Sequence, residues 1–294
     1  MKIRKTGLNL FSYSSKINRP LILDGAMGSL LRRKYAPEGT LWMSYLNKTA
    51  PDEILKIHKS YINAGADIIT TNTFRTNPLA CVNSPFGAFS DLACQGVKIA
   101  IEAANGKNVL VAGSNAPAED CYKAKREISY NKLASNHFNH INILADSGAD
   151  LILNETLSHL DEIQIICRHC SDLNIPFIIS LYLDENLRIL SGEKLTDVVK
   201  LIRDFAPLAI GLNCIKTEVF NKINLNKIKY PWGAYLNCGT GKQTDDLIKK
   251  SLSPLQYLDE IKNMFNYSPA FVGACCGSTP GHIRKIKEYI DEKH

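Results

Sequence analysis

Short apolar runs alternate with longer amphipathic stretches along this chain, about eight times over. The runs fall at residues 21–24, 67–71, 108–113, 150–155, 177–182, 208–213, 232–237 and 270–275. They are rich in Ile, Val and Leu and mostly lack strict polar alternation, the pattern of parallel strands covered on both faces. Between them, helical periodicity marks residues 51–63, 91–104, 131–147, 160–173, 195–205, 253–265 and 280–290. In the first of these, Ile54, Leu55, Ile57, His58, Tyr61 and Ile62 make the apolar stripe. Only the segment near 217–226 is weakly patterned. Two helix-to-strand joints read alike, Ala64-Gly65-Ala66-Asp67 and Ser147-Gly148-Ala149-Asp150, each with a glycine where a helix ends. Eight strand–helix units without a Pro/Gly/Ser-rich linker predict one α/β domain, a single (β/α)8 TIM barrel over residues 20–294, after an N-terminal extension of residues 1–19. A doubly wound open sheet is the rival, but Asp24-Gly25-Ala26-Met27-Gly28-Ser29 is too poor in glycine for a dinucleotide turn.

Composition narrows the class. Across the 294 residues, 45% are hydrophobic and 22% charged, which supports a packed core and excludes disorder. No apolar run approaches the roughly 18 residues of a membrane span, so no membrane role is expected. The net charge of +6 is spread along the chain without a basic block, so no nucleic-acid partner is expected. The basic N-terminal stretch lacks the apolar centre of an export signal. A cytoplasmic, reducing setting follows, and the nine cysteines read as thiols before disulfides.

Barrel enzymes place their chemistry at the C-terminal ends of strands. Here those ends carry Asp24-Gly25, Thr71-Asn72-Thr73, Ser114-Asn115, Asn154-Glu155-Thr156, Asn213-Cys214, Asn237-Cys238 and Cys275-Cys276-Gly277. Adjacent residues in a regular strand face opposite ways, so Cys275 and Cys276 share a ligand only where the backbone turns, and Gly273 and Gly277 flank them. With Cys214 on the same rim they make a three-thiolate set that suits zinc, leaving a fourth position open. Buried packing is the plainer alternative for such cysteines. Cys167 and Cys170 lie on one helical stripe and read as core, whereas Cys238 is near enough in sequence to approach the rim. Cys81, Cys94 and Cys121 are isolated. His137 and His140, three apart on a predicted helix, read as a packed or solvated face. Asp24 fits either a helix cap or a site group, and Glu155 fits a carboxylate that meets a metal or an ammonium. Ser278-Thr279-Pro280, at a helix start, admits a phosphate as a secondary reading. No strand ends in the lysine that a barrel aldolase needs.

Five segments in order carry a resemblance: Leu23-Asp24-Gly25-Ala26-Met27-Gly28, Thr71-Asn72-Thr73-Phe74, Asn154-Glu155-Thr156-Leu157, Gly211-Leu212-Asn213-Cys214 and Gly273-Ala274-Cys275-Cys276-Gly277. Together they resemble the homocysteine S-methyltransferases over about residues 21–290. The resemblance implies a (β/α)8 barrel in which Cys214, Cys275 and Cys276 bind zinc and the substrate thiol completes the tetrahedron. It implies that Asp24, Gly25, Ala26, Thr73 and Glu155 hold the amino-acid end of homocysteine, with no catalytic group beyond the zinc site. Ser29 stands where many members have Thr, and residues 114–120 lack the glycine-rich, aromatic stretch of relatives. The chain leaves no room after the eighth strand for cobalamin or folate modules. A sulfonium donor, S-methylmethionine or S-adenosylmethionine, is therefore expected. A separate methyl-corrinoid protein is the alternative donor, and a non-catalytic homocysteine- or zinc-binding barrel is the alternative function.

Overall fold

A computed structural model of the chain describes residues 18–239 and 251–293. Eight parallel strands form one sheet: β1 (Leu21–Ile22), β2 (Ile68–Thr70), β3 (Leu110–Asn115), β4 (Leu151–Leu157), β5 (Phe177–Leu181), β6 (Ala209–Asn213), β7 (Trp232–Leu236) and β8 (Phe271–Ala274). They pair in the order β1-β8-β7-β6-β5-β4-β3-β2, and a parallel bridge from Leu23 to Ile68 joins the two ends. The expected (β/α)8 barrel is the observed fold.

The helices are α1 (Met27–Leu31), α2 (Leu46–Thr49), α3 (Pro51–Asn63), α4 (Phe89–Ala104), α5 (Tyr130–Asp146), α6 (Leu160–Asp172), α7 (Leu195–Ile202), α8 (Thr217–Phe220), α9 (Pro254–Ile261) and α10 (Pro280–Lys293). Helix α3 has the predicted bounds for physical reasons. Pro51 occupies its first turn with Asp52 and Glu53, and Gly65 follows its end at φ +104°. The stretches predicted at 195–205 and 253–265 are helical only in part. Each tightens into a 3-10 segment, Arg203–Phe205 and Lys262–Tyr267, and leaves it through a left-handed residue, Ala206 or Ser268. The short helices α1 and α2 lie in the connection after β1 and carry no periodicity long enough to read.

Both faces of the sheet are covered, which explains the missing alternation. Leu21, Ile68, Leu110, Leu151, Leu153, Ile178 and Phe271 fill one buried cluster, and their strand neighbours Ile22, Ile69, Val111, Ile152, Ile179 and Val272 belong to another, shared with the helices. The repeated Gly-Ala-Asp joint proves to be a repeated device. Asp67 accepts a hydrogen bond from Ile22 N at 2.8 Å and its own N donates to Ile22 O at 2.7 Å. Asp150 does the same to Val111, at 2.9 and 2.8 Å. Each carboxylate thus completes the hydrogen bonding of the preceding strand. Arg19 pairs with Asp67 through two bonds of 2.6 and 2.9 Å, while residues 1–17 of the expected extension lie outside the described residues. Asp67→Ala is expected to lower stability by about 2 kcal/mol, by removing the carboxylate that Ile22 N and Arg19 share, as read by urea denaturation. Among the described residues no helix is long and apolar enough to cross a membrane.

Candidate active site at the barrel mouth

β8 stops at Ala274, so Cys275 and Cys276 lie in the turn beyond it, with Gly277 at φ +84°. The turn brings adjacent side chains to one side. Cys214, just past β6, holds the left-handed φ of +53° that points its sulfur inward. The three sulfurs lie within 4.8 Å of one another. Cys276 Sγ stands 3.9 Å from both Cys214 Sγ and Cys275 Sγ. Cys214 and Cys275 are themselves paired as a disulfide, with Cα atoms 5.8 Å apart, in place of the separate thiols expected from the sequence. A structural disulfide has no use for a third sulfur against both its atoms. Three ligands of a tetrahedral zinc, by contrast, stand about 3.8 Å apart given Zn–S bonds of about 2.3 Å. Burial, with the Glu155 charge nearby, pushes the Cys276 thiol up to about 11. A cation among these sulfurs is what would favour their thiolates, so the donor set fits a thiophilic metal.

Backbone bonds hold the cysteine turn in place. Cys276 O accepts from Cys238 N at 2.9 Å and Gly239 N at 3.1 Å, and Gly277 N donates to Ser29 Oγ at 3.0 Å. Ser278 Oγ accepts from Ala26 N at 2.9 Å, and Tyr61 donates to Ala26 O at 3.1 Å. The loop after β1 is therefore sewn to the loop after β8. Glycine is required at position 25, because a Cβ would meet Ser278 Oγ at 2.6 Å and Tyr61 Oη at 2.8 Å. The phosphate reading of this corner is not sustained. Ser278 is occupied, and Thr279 N and Oγ1 both face His282 Nδ1 at 3.1 Å.

The two carboxylates are buried and differently held. Asp24 accepts from Thr70 N and Thr70 Oγ1, each at 2.9 Å, across the short β1–β2 seam. It caps no helix, since Ala26 precedes α1 without a side-chain cap. Burial pushes the Asp24 carboxyl up to about 8, against the pull of the Thr70 bonds. Glu155 accepts from Ser114 Oγ and, at 3.5 Å, from Tyr235 Oη. Burial lifts it to about 7.

Glu155 owes its direction to an irregularity in β4. The register shifts between Asn154 and Leu157, and Thr156 takes a φ of +60°, a strained value for a β-branched residue. Asn213 holds it there. Its Oδ1 accepts from Thr156 N at 2.9 Å and Ser180 Oγ at 2.8 Å, while its Nδ2 donates to Thr156 Oγ1 at 2.8 Å. Asn213 precedes Cys214, so one side chain couples the carboxylate bulge to a metal-ligand candidate. Thr73 is fully buried, and its hydroxyl donates to Ser114 O at 2.8 Å and contacts Thr71 Oγ1 at 2.7 Å. It thereby positions the residue that holds Glu155.

The structure thus brings Asp24, Gly25, Ala26, Glu155, Cys214, Cys275 and Cys276 to one mouth, with Thr73 joined to it through Ser114. Cys238 is fully buried in the core and its thiol stands outside the cluster. Cys167 and Cys170 pack in the core, as their stripe indicated. Sequence reasoning missed Tyr235, whose inward face within a strand was the available signal, and the work of Ser114, Tyr61 and Ser278.

A closed (β/α)8 barrel with converging cysteines and buried carboxylates at its C-terminal mouth defines a barrel enzyme built around a thiol-lined site. The chain belongs to the homocysteine S-methyltransferase family, whose sequence profile matches residues 21–290, and it is a methyltransferase. It is similar to homocysteine S-methyltransferase 3 of Zea mays, 24% identical over 92% of this chain and 90% of that one. Homocysteine S-methyltransferase 2 of Arabidopsis thaliana is 23% identical over 92% of each. The homocysteine methyltransferase of Escherichia coli, solved in a metallated form, superposes with a TM-score of 0.80 at 23% identity, over 95% of this chain and 99% of that one. Its oxidized form gives 0.82, over 96% and 100%.

Proposed function

We propose that this protein methylates homocysteine on zinc, with a sulfonium compound, S-methylmethionine or S-adenosylmethionine, as methyl donor. The observation that carries the reading is the convergence of Cys214, Cys275 and Cys276, with the third sulfur at near-tetrahedral spacing from both members of the Cys214–Cys275 pair. The metallated Escherichia coli relative supports it. Zinc held by these cysteines would keep the substrate sulfur as a thiolate at neutral pH.

The chain's own residues supply the rest. Asp24 and Glu155 offer carboxylates to the substrate ammonium, and the Gly25–Ala26 backbone, fixed by Ser278 and Tyr61, lines the same side. Ser114, Tyr235 and Thr73 keep Glu155 in place. In the transfer a substrate sulfur–methyl bond forms as the donor's sulfonium–methyl bond breaks. The breaking pair stays on the donor sulfur, which leaves as a neutral thioether, and no protein base is required. A reducing cytoplasm would keep the Cys214–Cys275 pair open to metal.

The test is methionine formation by the zinc-loaded protein from homocysteine with S-methylmethionine, S-adenosylmethionine, betaine or methylcobalamin. Turnover with a sulfonium donor is expected. Turnover with methylcobalamin alone would replace the donor by a corrinoid, for which the relatives give no support. Homocysteine binding without turnover on any donor would mark a non-catalytic barrel.

A further inference from the structure

In the connection between β3 and α5, one residue near each end meets the same buried side chain. Glu162, in the first turn of α6, is fully buried. Its Oε1 accepts from Ala118 N at 2.9 Å, near the start of the connection, and its Oε2 meets Arg126 Nη1 at 3.3 Å, near the end. His137 Nε2, on α5, lies 2.7 Å from Oε1. These partners hold the Glu162 carboxyl below the usual range despite its burial. Arg126 also pairs with Asp161. His137 and His140 both lie against the side chain of Asn115 at the top of β3, and His140 Nε2 meets Thr76 Oγ1 at 2.9 Å. The two histidines, expected to be packed or solvated, are therefore buried members of a network that ends on the rim.

The span tied at both ends carries Cys121 and Tyr122. Ser158 Oγ donates to Cys121 O at 3.3 Å, and His159 Nε2 lies 3.1 Å from Ala124 O, so the span rests on the loop after β4. The Tyr122 ring meets the Tyr182 ring edge-on at 5.2 Å, just past β5. The Tyr122 phenol also lies within electrostatic reach of the Cys276 thiol. The span therefore lies over the ends of β4 and β5, on the same rim as Glu155.

We propose that Glu162 is a positioning residue that fixes residues 118–126 as the donor-side wall of the site, so that it governs donor binding without touching donor, homocysteine or metal. The proposal rests on the methyl-transfer reading for its kinetic readout, but not for its structural one. Loss of the Glu162 charge weakens the hold on both ends of the span at once, leaving Arg126 with Asp161 alone.

The experiment uses full-length, zinc-loaded protein and the variant Glu162→Gln, with Arg126→Gln as a second variant that releases one end only and leaves α6 intact. Limited trypsin digestion at Lys123 and Lys125 is expected to quicken about tenfold in Glu162→Gln, and in the same direction but less in Arg126→Gln. With S-methylmethionine as donor, the donor KM is expected to rise about tenfold while zinc content and the homocysteine KM stay within about twofold. Unchanged digestion in both variants overturns the proposal. So does an equal loss of homocysteine and donor affinity, which would mark a merely structural role. A wild type that turns over no donor sinks the methyl-transfer reading instead, and digestion then decides the proposal alone.

Discussion

Cys276→Ala is expected to purify with less than about one-tenth of the wild-type zinc and to lose methyl transfer by about a thousandfold or more. Cys276 is the sulfur at 3.9 Å from both others, so its removal leaves two ligands, Cys214 and Cys275, that are already placed to pair. A two-sulfur remnant neither closes a tetrahedron nor resists oxidation. The fold is expected to survive. The contributions of residue 276 to neighbouring loops run through its carbonyl, which accepts from Cys238 N and Gly239 N whatever the side chain. Metal analysis alongside a thermal melt separates the outcomes. Lost zinc with an unchanged melt of the metal-free protein supports the ligand role, and full zinc content refutes it.

Glu155→Gln is expected to raise the homocysteine KM by about a hundredfold while zinc is retained, because a carboxylate facing an ammonium becomes a neutral amide. The same variant is expected to be more stable than the wild type at alkaline pH. The folded Glu155 carboxyl sits at about 7 against an ordinary value of 4.5, so the folded state binds this proton more tightly than the unfolded chain. The resulting penalty is absent below about pH 4, grows as pH rises, and is complete above about 7, at about 3 kcal/mol. Glutamine carries no charge and escapes it. Urea denaturation of the metal-free, substrate-free proteins at pH 8 is thus expected to favour the variant, with little difference at pH 4. Equal stability at both values would show that Glu155 is not held in a desolvating mouth.

Stability given up at Glu155 and strain at Thr156 and Cys214 have one location, the rim proposed here to bind substrate. That location also explains what the sequence made legible. Apolar runs and helical stripes located all eight strands and the seven long helices, because burial on both faces writes itself into composition. Helix α3 was readable to the residue since Pro51 and Gly65 punctuate it. The four- and five-residue helices α1, α2 and α8 were not, since they are shorter than the two turns that a 3.6-residue period needs.

The site was legible as a set of residue types at strand ends. The three cysteines stood out because an adjacent pair at one strand end and a third thiol at another make a ligand set that packing alone does not call for. How the carboxylates are held was not legible. Nothing in Asn154-Glu155-Thr156 announces the register shift in β4, which Asn213 stabilises from another strand. His137 and His140 occupy a helical face whether they pack, meet solvent or hydrogen-bond. Only their distances to Asn115, Thr76 and Glu162 decide it.

If the proposed chemistry holds, the homocysteine sulfur joins the sulfurs of Cys214, Cys275 and Cys276 on one metal. X-ray absorption at the zinc edge of the loaded protein tests it most directly. Three sulfur ligands and one lighter ligand are expected without homocysteine, changing to four sulfurs at about 2.3 Å when homocysteine is added. A sulfur count that stays the same with and without homocysteine would contradict it.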